Sequence, residues 1–454
     1  MKVLLCSSEV VPFAKTGGLA DVAGSLPLYL KKLKIDIRVA MPKYSCVKVE
    51  GSKAKMGKDI PVYLIENDQY FVRPTLYGTP SGDFADNLER FSFYSKAVLE
   101  LLKKENFKPD VIHCNDWQSA LIPVYLKTIY KDDPFYKNIK TVFTIHNMAY
   151  QGVFSKDEYP KLGIGWEYFN IEGLEFYDKI NFMKGGLIFS DFITTVSPTY
   201  SKEIQTPEFG YKLEGILSKR KNNLTGILNG IDYDEWNPEA DKELVKKYSA
   251  KSSTDKVYNK VALQKELGLP VKPDVPLLGV VGRLAGQKGF DILAEKIEQI
   301  CSMDLQFALL GTGEEMYHKI MQDIAKKYPQ KTSISIKFDN TLAKKIYASS
   351  DMFLMPSRYE PCGLGQLISL RYGTIPIVRK TGGLADTITE DNGFVFEEYS
   401  SDALFKAIKR GLDAYKNCKA WQAMVRRAME YDFSWGNSTK EYVKLFKNVI
   451  VGGE

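Results

Sequence analysis

Short apolar runs recur along this 454-residue chain, and most of them are followed by a segment with helical periodicity. Six runs fall in the first half: KVLLCSSEV, DIRVAMP, PDVIHCN, TVFTIHN, DFITTVSP and LTGILNGI. Six more fall in the second half: PLLGVVGRL, LQFALLGTG, SISIKF, DMFLMPS, IPIVRKTGG and NGFVFEE. Continuous apolar strands that alternate with helices are typical of parallel sheets covered on both faces. The pattern therefore predicts an α/β protein with two doubly wound domains.

A polar, charged and turn-prone stretch at residues 232–256 separates the two series of strands. Such a change of composition favours a domain boundary. We predict a first domain over residues 1–240 and a second over residues 241–432. A final amphipathic segment within residues 433–454 has no strand after it, and by its pattern alone it could pack on either domain.

Charge and cysteine content argue against several classes of protein. The excess of 62 Lys and Arg over 56 Asp and Glu is only +6 and forms no basic block, which disfavours a nucleic-acid or membrane surface. The six cysteines are irregularly spaced without a C-x-x-C, as in a reducing cytosol. The N-terminus lacks the features of a signal peptide, and no apolar run reaches the roughly 18 residues of a membrane helix. We therefore expect a cytoplasmic protein.

One phrase occurs twice: KTGGLAD at residues 15–21 and again at residues 380–386. Ligands of open α/β sheets bind beyond the carboxyl ends of the strands, and both copies follow predicted strands. Adjacent glycines allow a tight turn, and the N–H groups of the following helix suit a phosphate or sugar oxygen. For a single copy, a turn that simply needs glycine is the slightly better explanation, and two copies with the same lysine weaken it. Neither is a Walker A or G-x-G-x-x-G motif.

Other polar clusters follow strands in the second half. GRLAGQKG carries Arg283 and Lys288 on a glycine-bearing loop, which suits a diphosphate leaving group or only a solvated loop. RYEPCGLGQL places Glu360 before a helix, where the carboxylate can bind sugar hydroxyls or merely complement the helix dipole. Cys362 is expected to be a small packing residue. Phe338 follows another strand and is either a core residue or a platform for a base.

In the first half, HCNDWQ puts Asp116 at the start of a helix, where the ordinary role is an N-cap. His146 ends a strand and is the better functional candidate of the histidines in these motifs. Asn229 is either part of a turn or a contact for a sugar hydroxyl. We find no metal-binding motif, so Arg, Lys and helix termini would neutralise a diphosphate.

Taken in order, KTGGLADV, HCNDWQ, TIHNMAYQG, TVSPTYSKEI, LNGID, GRLAGQKG, PSRYEPCGLGQL and KTGGLADT resemble the motifs of bacterial glycogen synthases and plant starch synthases. The resemblance covers nearly the whole chain. It implies the GT-B fold, in which two Rossmann-like domains face each other across a deep cleft. It also implies that the C-terminal helix at 433–454 packs back on the first domain.

The resemblance implies the following roles. Arg283 and Lys288 bind the donor diphosphate, and Glu360 contacts the donor glucose. Asp116, His146 and Asn229 surround the transferred glucose, while Phe338 lies against the nucleotide base. The remaining donor-binding positions are those of the two KTGG phrases and of the loop after Glu360: Lys15, Gly18, Cys362, Gly363, Leu364, Thr381, Gly382 and Gly383. A glutamate that binds ribose in related GT-B enzymes is replaced by Ile368, which leaves that contact unassigned.

The activity implied is that of a retaining hexosyltransferase. It would transfer glucose from ADP-glucose to the non-reducing end of an α-1,4-glucan, either glycogen or a maltooligosaccharide, with no metal or other cofactor. The location implied is the bacterial cytoplasm, or a plastid for a plant protein. A preference for UDP-glucose and a non-catalytic glucan-binding protein are the alternatives. A glucan phosphorylase would need a pyridoxal-phosphate lysine and a much longer chain.

Overall fold

A computed structural model describes residues 1–79 and 81–452 of the chain. It divides into two compact units. The first comprises Met1–Asn229 together with the C-terminal residues from Trp435, and the second comprises Gly230–Ser434. Residues 230–240, which the sequence predicts in the first domain, belong with the second. The reason is that Ile231 N donates to Phe433 O at 2.9 Å, within the second unit.

The first unit is built on an eight-stranded sheet with two small antiparallel sheets beside it. Its strands are β1 (Lys2–Cys6), β2 (Asp36–Pro42), β3 (Lys53–Met56), β4 (Ile60–Ile65), β5 (Gly78–Thr79), β6 (Gly82–Asp83), β7 (Val111–Asn115), β8 (Lys140–Ile145), β9 (Val153–Ser155), β10 (Glu175–Phe176), β11 (Lys179–Asn181), β12 (Phe192–Thr195) and β13 (Leu224–Gly226). The order in the large sheet is β13-β12-β8-β7-β1-β2-β4-β3. Every neighbouring pair in it is parallel except β3 with β4.

Helices accompany these strands in the described part of residues 1–229. They are α1 (Gly18–Lys32), α2 (Asp68–Phe71), α3 (Asn87–Lys104), α4 (Leu121–Lys127), α5 (Phe182–Phe189), α6 (Pro198–Glu203) and α7 (Glu214–Lys219). Short 3₁₀ turns occupy Trp117–Ser119, Lys156–Leu162, Trp166–Tyr168 and Lys221–Asn223. Pro27, which interrupts the helical pattern in the sequence, lies inside α1 without ending it.

The second unit contains a six-stranded, fully parallel sheet. Its strands are β14 (Leu277–Val281), β15 (Gln306–Gly311), β16 (Thr332–Ile336), β17 (Met352–Met355), β18 (Ile375–Arg379) and β19 (Phe394–Phe396), in the order β16-β15-β14-β17-β18-β19. Its helices are α8 (Lys256–Glu266), α9 (Phe290–Ser302), α10 (Glu315–Lys327), α11 (Asn340–Ser349), α12 (Gly365–Arg371), α13 (Gly382–Thr387), α14 (Ser401–Tyr415) and α15 (Cys418–Glu430). Ala250–Asp255 and Gly286–Lys288 are 3₁₀ turns.

All twelve apolar runs of the sequence form parallel strands of the two large sheets, which confirms the predicted doubly wound architecture. The strands read as continuous apolar runs because helices cover both faces; Val3, Leu4 and Leu5 of β1, for example, have no exposed surface. None of the helices in the described ranges combines the length and apolar character needed to cross a membrane.

The last helix, α16 (Trp435–Val451), belongs to the first unit although it follows the second unit in the chain. Its rings Tyr442 and Phe446 lie 5.4 and 5.6 Å from the ring of His113 on β7, measured between centroids. Burial of this face against the first unit therefore explains why α16 is amphipathic. The final two residues of the predicted C-terminal segment, 453 and 454, lie outside the described residues.

Candidate active site

In both units the strand order reverses next to the first strand. In the second unit β15 and β16 lie on one side of β14, and β17, β18 and β19 lie on the other. In the first unit the same reversal separates β1 from β7. Helical crossovers leave in opposite directions at such a point, so a crevice opens beyond the carboxyl ends of the two central strands. The loops that follow β14, β17, β1 and β7 carry most of the residues singled out in the sequence.

In the second unit, Lys288 and Glu360 meet at this point. Lys288 Nζ donates to Glu360 Oε2 at 2.6 Å, and Ser357 Oγ donates to the same oxygen at 3.0 Å. The Glu360 side chain is only 7% exposed, whereas that of Lys288 is 28% exposed. A charge-assisted hydrogen bond in a partly dry site is strong and fixes both side chains. The structure thus holds a carboxylate and a cation ready for a polar ligand at the end of β17.

Arg283 lies on the same loop as Lys288 and is exposed. One of its guanidinium nitrogens donates to Gln287 Oε1 at 3.3 Å. The backbone of that loop is tied to the loop after β17, because Arg358 N donates to Gln287 O at 2.9 Å. The two predicted cations therefore lie on one loop that is fixed to the loop of Glu360.

The backbone of the second KTGG phrase contacts the backbone of Glu360. Gly383 N donates to Glu360 O at 3.1 Å, and a Cβ placed on Gly382 would lie 1.9 Å from that same carbonyl oxygen. Gly382 also has φ +43°, which side chains disfavour. Thr381 before it is buried, and Lys380 turns away to pair with Glu397 at 2.7 Å. The phrase thus positions the loop of Glu360, and its lysine takes no part.

The residues after Glu360 form a tight turn into α12. Cys362 is buried, and its carbonyl accepts a hydrogen bond from Gln366 Nε2 at 3.0 Å. Gly363 has φ +73°, and Leu364 is the N-cap residue of α12. These contacts agree with the prediction that Cys362 is a small packing residue.

For Phe338 and Ile368 of the second unit, the exposure of the side chain bears on the predicted role. Phe338 follows β16 and is 77% exposed, so the core alternative for this residue is wrong and a surface role stays a prediction. Ile368 on α12 is buried in the hydrophobic core of the unit. An apolar residue at position 368 therefore fills the core instead of meeting a ligand.

In the first unit, Asp116 follows β7 and its carboxylate does not cap the next turn. It instead accepts a hydrogen bond from His146 N at 2.7 Å. The N-cap expected from the sequence is therefore wrong, because the side chain is directed to the loop after β8. Asp116 also has φ 55°. A non-glycine residue in this region is strained by about 1–3 kcal/mol, and such strain is concentrated at functional sites.

Asp116 is almost fully buried, and burial raises its pKa to about 7, although the backbone N–H groups of His146 and Asn147 favour the ionised form. Burial lowers the pKa of His146 to about 3, so the imidazole is neutral at neutral pH. Its Nε2 lies 2.9 Å from Asn115 Oδ1. Asn115 Nδ2 donates to Cys6 O at 3.1 Å, which leaves Oδ1 as the acceptor for His146. His146 therefore carries its proton on Nε2 and has Nδ1 available as an acceptor.

The first KTGG phrase is held by Glu9, a residue that the sequence reasoning missed. The Glu9 carboxylate is buried and accepts hydrogen bonds from Thr16 N, from Thr16 Oγ1 at 2.5 Å and from Gly17 N at 3.1 Å. Tyr77 OH donates to it at 2.7 Å. Glu9 thus binds two N–H groups of the turn, those of Thr16 and Gly17, which precede the first residue of α1, Gly18. An acidic residue directly after β1 is the signal that could have found Glu9.

Lys15 and Gly18 of this phrase are both exposed, and their role in donor binding stays a prediction. Lys15 Nζ pairs with Asp21 Oδ1 of α1 at 2.7 Å. Asn229 ends the first of the two segments that form the first unit, and its Oδ1 is buried with no hydrogen-bond partner in the part of the chain that the structure describes. Within those same residues, no three His, Cys, Asp or Glu side chains are arranged to hold a metal ion.

The chain resembles proteins of known function along its whole length. Residues 2–219 match the family model "Starch synthase catalytic domain", and residues 264–428 match "Glycosyl transferases group 1". Glycogen synthases from Geotalea uraniireducens and Thermosipho africanus are 49% and 50% identical, with 98% and 99% of each chain covered.

Solved structures give the same result. The catalytic domain of starch synthase IV from Arabidopsis thaliana, bound to ADP and acarbose, is 33% identical with a TM-score of 0.90, and 99% of each chain is covered. A sucrose-phosphate synthase from Thermosynechococcus elongatus, 17% identical with a TM-score of 0.66 over 100% of both chains, shares the fold. These comparisons confirm the predicted GT-B fold class.

Alanine at Gly382 should destabilise the protein, whereas alanine at Gly17, the matching position of the first phrase, should not. A Cβ at Gly17 has nothing within 4 Å and its φ is −150°, in contrast to the 1.9 Å approach and positive φ at Gly382. We expect Gly382→Ala to lower the melting temperature by several degrees, since strained substitutions typically cost about 1–3 kcal/mol. Equal melting temperatures for the two variants would contradict this assignment.

The carboxyl of Asp116 should titrate near pH 7. In the unfolded chain it titrates near its ordinary value of about 3.9, so the native state keeps a proton that the unfolded state releases between these pH values. The contribution of Asp116 to stability is therefore largest at low pH and is lost as pH rises through about 7. Carbon-13 NMR of aspartate-labelled protein should contain one resonance with that midpoint, absent in Asp116→Asn. If every aspartate titrates below pH 5, the expectation is wrong.

Proposed function

Because the chain belongs to the glycogen and starch synthase family, we propose that it transfers glucose from ADP-glucose to the non-reducing end of an α-1,4-glucan. The carrying observation is the buried Glu360 carboxylate, hydrogen-bonded to Lys288 at the switch point of the second sheet. Adenine nucleotide is favoured as the donor because the related Arabidopsis structure contains ADP together with acarbose.

In this proposal the second unit binds the nucleotide sugar. Arg283 and Lys288 neutralise the diphosphate, and Glu360 hydrogen-bonds the donor glucose. The turn at Cys362, Gly363 and Leu364 shapes the sugar pocket. Thr381, Gly382 and Gly383 hold this turn in place. Phe338 is exposed, as a platform for the base would need to be. The ribose contact is not assigned to any residue.

The first unit acts on the transferred glucose and the acceptor. Lys15 and Gly18 contribute to donor binding, and Lys15 adds a third cation. Asp116, His146 and Asn229 bind hydroxyl groups of the transferred glucose. His146 can accept a hydrogen bond through Nδ1, since its Nε2 proton is used by Asn115. A buried carboxyl such as Asp116 provides a directional partner for a hydroxyl.

The reaction breaks the bond between the anomeric carbon and the phosphate oxygen and forms a bond from that carbon to the acceptor 4-oxygen. We assign no protein nucleophile. The leaving phosphate takes the proton of the acceptor hydroxyl on the same face, so the α configuration is retained. Arg283 and Lys288 stabilise the negative charge that grows on the phosphate. Removing either cation should cost about 2–4 kcal/mol of transition-state stabilisation, by analogy with removing one oxyanion donor.

The proposal assigns charge neutralisation to Lys and Arg side chains, so it requires no metal and no other cofactor. It includes a cytoplasmic location. All six cysteines lie within the described residues and are free thiols, which supports a reducing compartment.

The function is tested by adding purified protein to ADP-glucose and maltotriose, and separately to UDP-glucose and maltotriose. We expect ADP release together with lengthened glucans, faster than with UDP-glucose and insensitive to EDTA. Glu360→Gln should lower the rate at least about 100-fold, as the loss of one strong transition-state contact does. Glu397→Gln is the matched control, because Glu397 also pairs with a lysine at 2.7 Å but is exposed.

Three results would contradict the proposal. Faster transfer from UDP-glucose would overturn the donor assignment. Glucan binding without release of either nucleotide would indicate a non-catalytic binding protein. A Glu360→Gln variant that is as active as Glu397→Gln would remove Glu360 from the site.

A further inference from the structure

A cavity of about 730 Å³ opens in the second unit, away from the residues described above. Its lining includes Pro276, Asp351 and Gly373, which come just before the strands β14, β17 and β18. Lys288 and Glu360 follow the ends of β14 and β17. A strand of five residues is about 17 Å long, so the cavity and the proposed donor site lie at opposite edges of the sheet. The proposed function makes no use of this cavity.

The base of the cavity is rigid and polar. Lys260 is buried, and its Nζ donates to Asp351 Oδ2 at 2.6 Å, to Pro273 O at 2.8 Å and to Tyr415 OH at 3.2 Å. Asp351 Oδ2 also accepts from Leu277 N at 2.7 Å. The three donors of the ammonium group are thus all used. The base offers fixed hydrogen-bonding atoms but no unpaired cation.

The charges around the cavity cancel. Four lysines and four aspartates line it. Besides Lys260 with Asp351, Lys416 pairs with Asp413 at 2.7 Å. The Nζ of Lys256 is directed to backbone carbonyls, including that of Ala348 at 2.7 Å. A phosphate or nucleotide would find no excess of positive charge here, whereas a neutral ligand with many hydroxyls could donate to carboxylates and accept from amines.

One wall is apolar and aromatic. Tyr415 and Trp421 pack edge to face with centroids 5.2 Å apart, and Leu412 and Val257 add apolar side chains to the lining of the cavity. A glucose ring presents C–H groups on its two faces and hydroxyls around its rim. It therefore matches a site with apolar walls and polar groups of both signs. The volume falls within the 300–1,000 Å³ that is usual for small-molecule sites.

We propose that this cavity is a second carbohydrate site, which takes one or two glucose units of a neutral α-glucan. The site is separate from the donor site and has no part in the transfer step. It would let the protein hold a glucan through the second unit while another chain end reacts. The choice of glucan as ligand rests on the proposed function, but the cavity and its neutral lining do not.

The test is hydrogen exchange of the full chain with maltotriose as the probe. When a ligand is present at about ten times its Kd, the local opening that it blocks becomes about tenfold rarer. Hydrogen exchange that requires this opening then slows by about tenfold. We expect this protection in peptides of α8, α14 and α15, in the native protein and equally in Glu360→Gln. Val257→Trp, which puts a large ring at the wall of the cavity, should abolish it. Val271→Trp is the matched control, since Val271 is similarly exposed (45% against 38%) and does not line the cavity.

The proposal is overturned if maltotriose protects none of these peptides, or if Val257→Trp keeps the protection. It is also overturned if inorganic phosphate gives the same protection, because the site would then take anions. Nucleotide release from ADP-glucose is measured on the same samples. Release without protection would refute the cavity proposal alone, and protection without release would refute the proposed transfer reaction alone.

Discussion

The parallel direction of the strands is the constraint on which the rest of each unit depends. Because the strands run the same way, all of their carboxyl ends lie at one edge, and the loops that leave that edge are brought together. Reversal of the strand order beside β14 then brings the loop of Lys288 next to the loop of Glu360, 2.6 Å apart at their side chains. The same rule puts Asn115, at the end of β7, within 3.1 Å of the carbonyl at the end of β1.

The two copies of the KTGGLAD segment make different contacts in the structure. In the first, the backbone N–H groups of Thr16 and Gly17 bind the buried carboxylate of Glu9, and Lys15 stays exposed. In the second, a glycine N–H binds the carbonyl of Glu360, and the lysine pairs with Glu397. In both copies, some of the backbone N–H groups of the phrase are therefore used internally. In the proposed reaction, Arg283, Lys288 and Lys15 meet the charge of the diphosphate together with helix N-termini.

The sequence predicts the strands well because a strand buried on both faces must be apolar throughout. It misses β3 and β4 of the large sheet, and in β4 Pro61 interrupts the apolar run. Lys288 and Glu360 are singled out because they follow strands, and their side chains are in contact in the structure. Glu9, the direction of the Asp116 side chain and the exposure of Phe338 are not found. Glu9 has a local signal in its position after β1, whereas the direction of the Asp116 side chain depends on His146, 30 residues further along the chain, which no local pattern of residues specifies.

The central claim is that Lys288 and Glu360 act as one charged unit on the donor sugar nucleotide. A double-mutant cycle on kcat/KM for ADP-glucose tests it most directly, with Lys288→Met, Glu360→Gln and the double variant, beside the same cycle for the exposed pair Lys380 and Glu397. The account predicts large losses for each single variant at the first pair and a double variant little worse than the poorer single one. Losses that multiply, or single variants with unchanged kcat/KM, would contradict it.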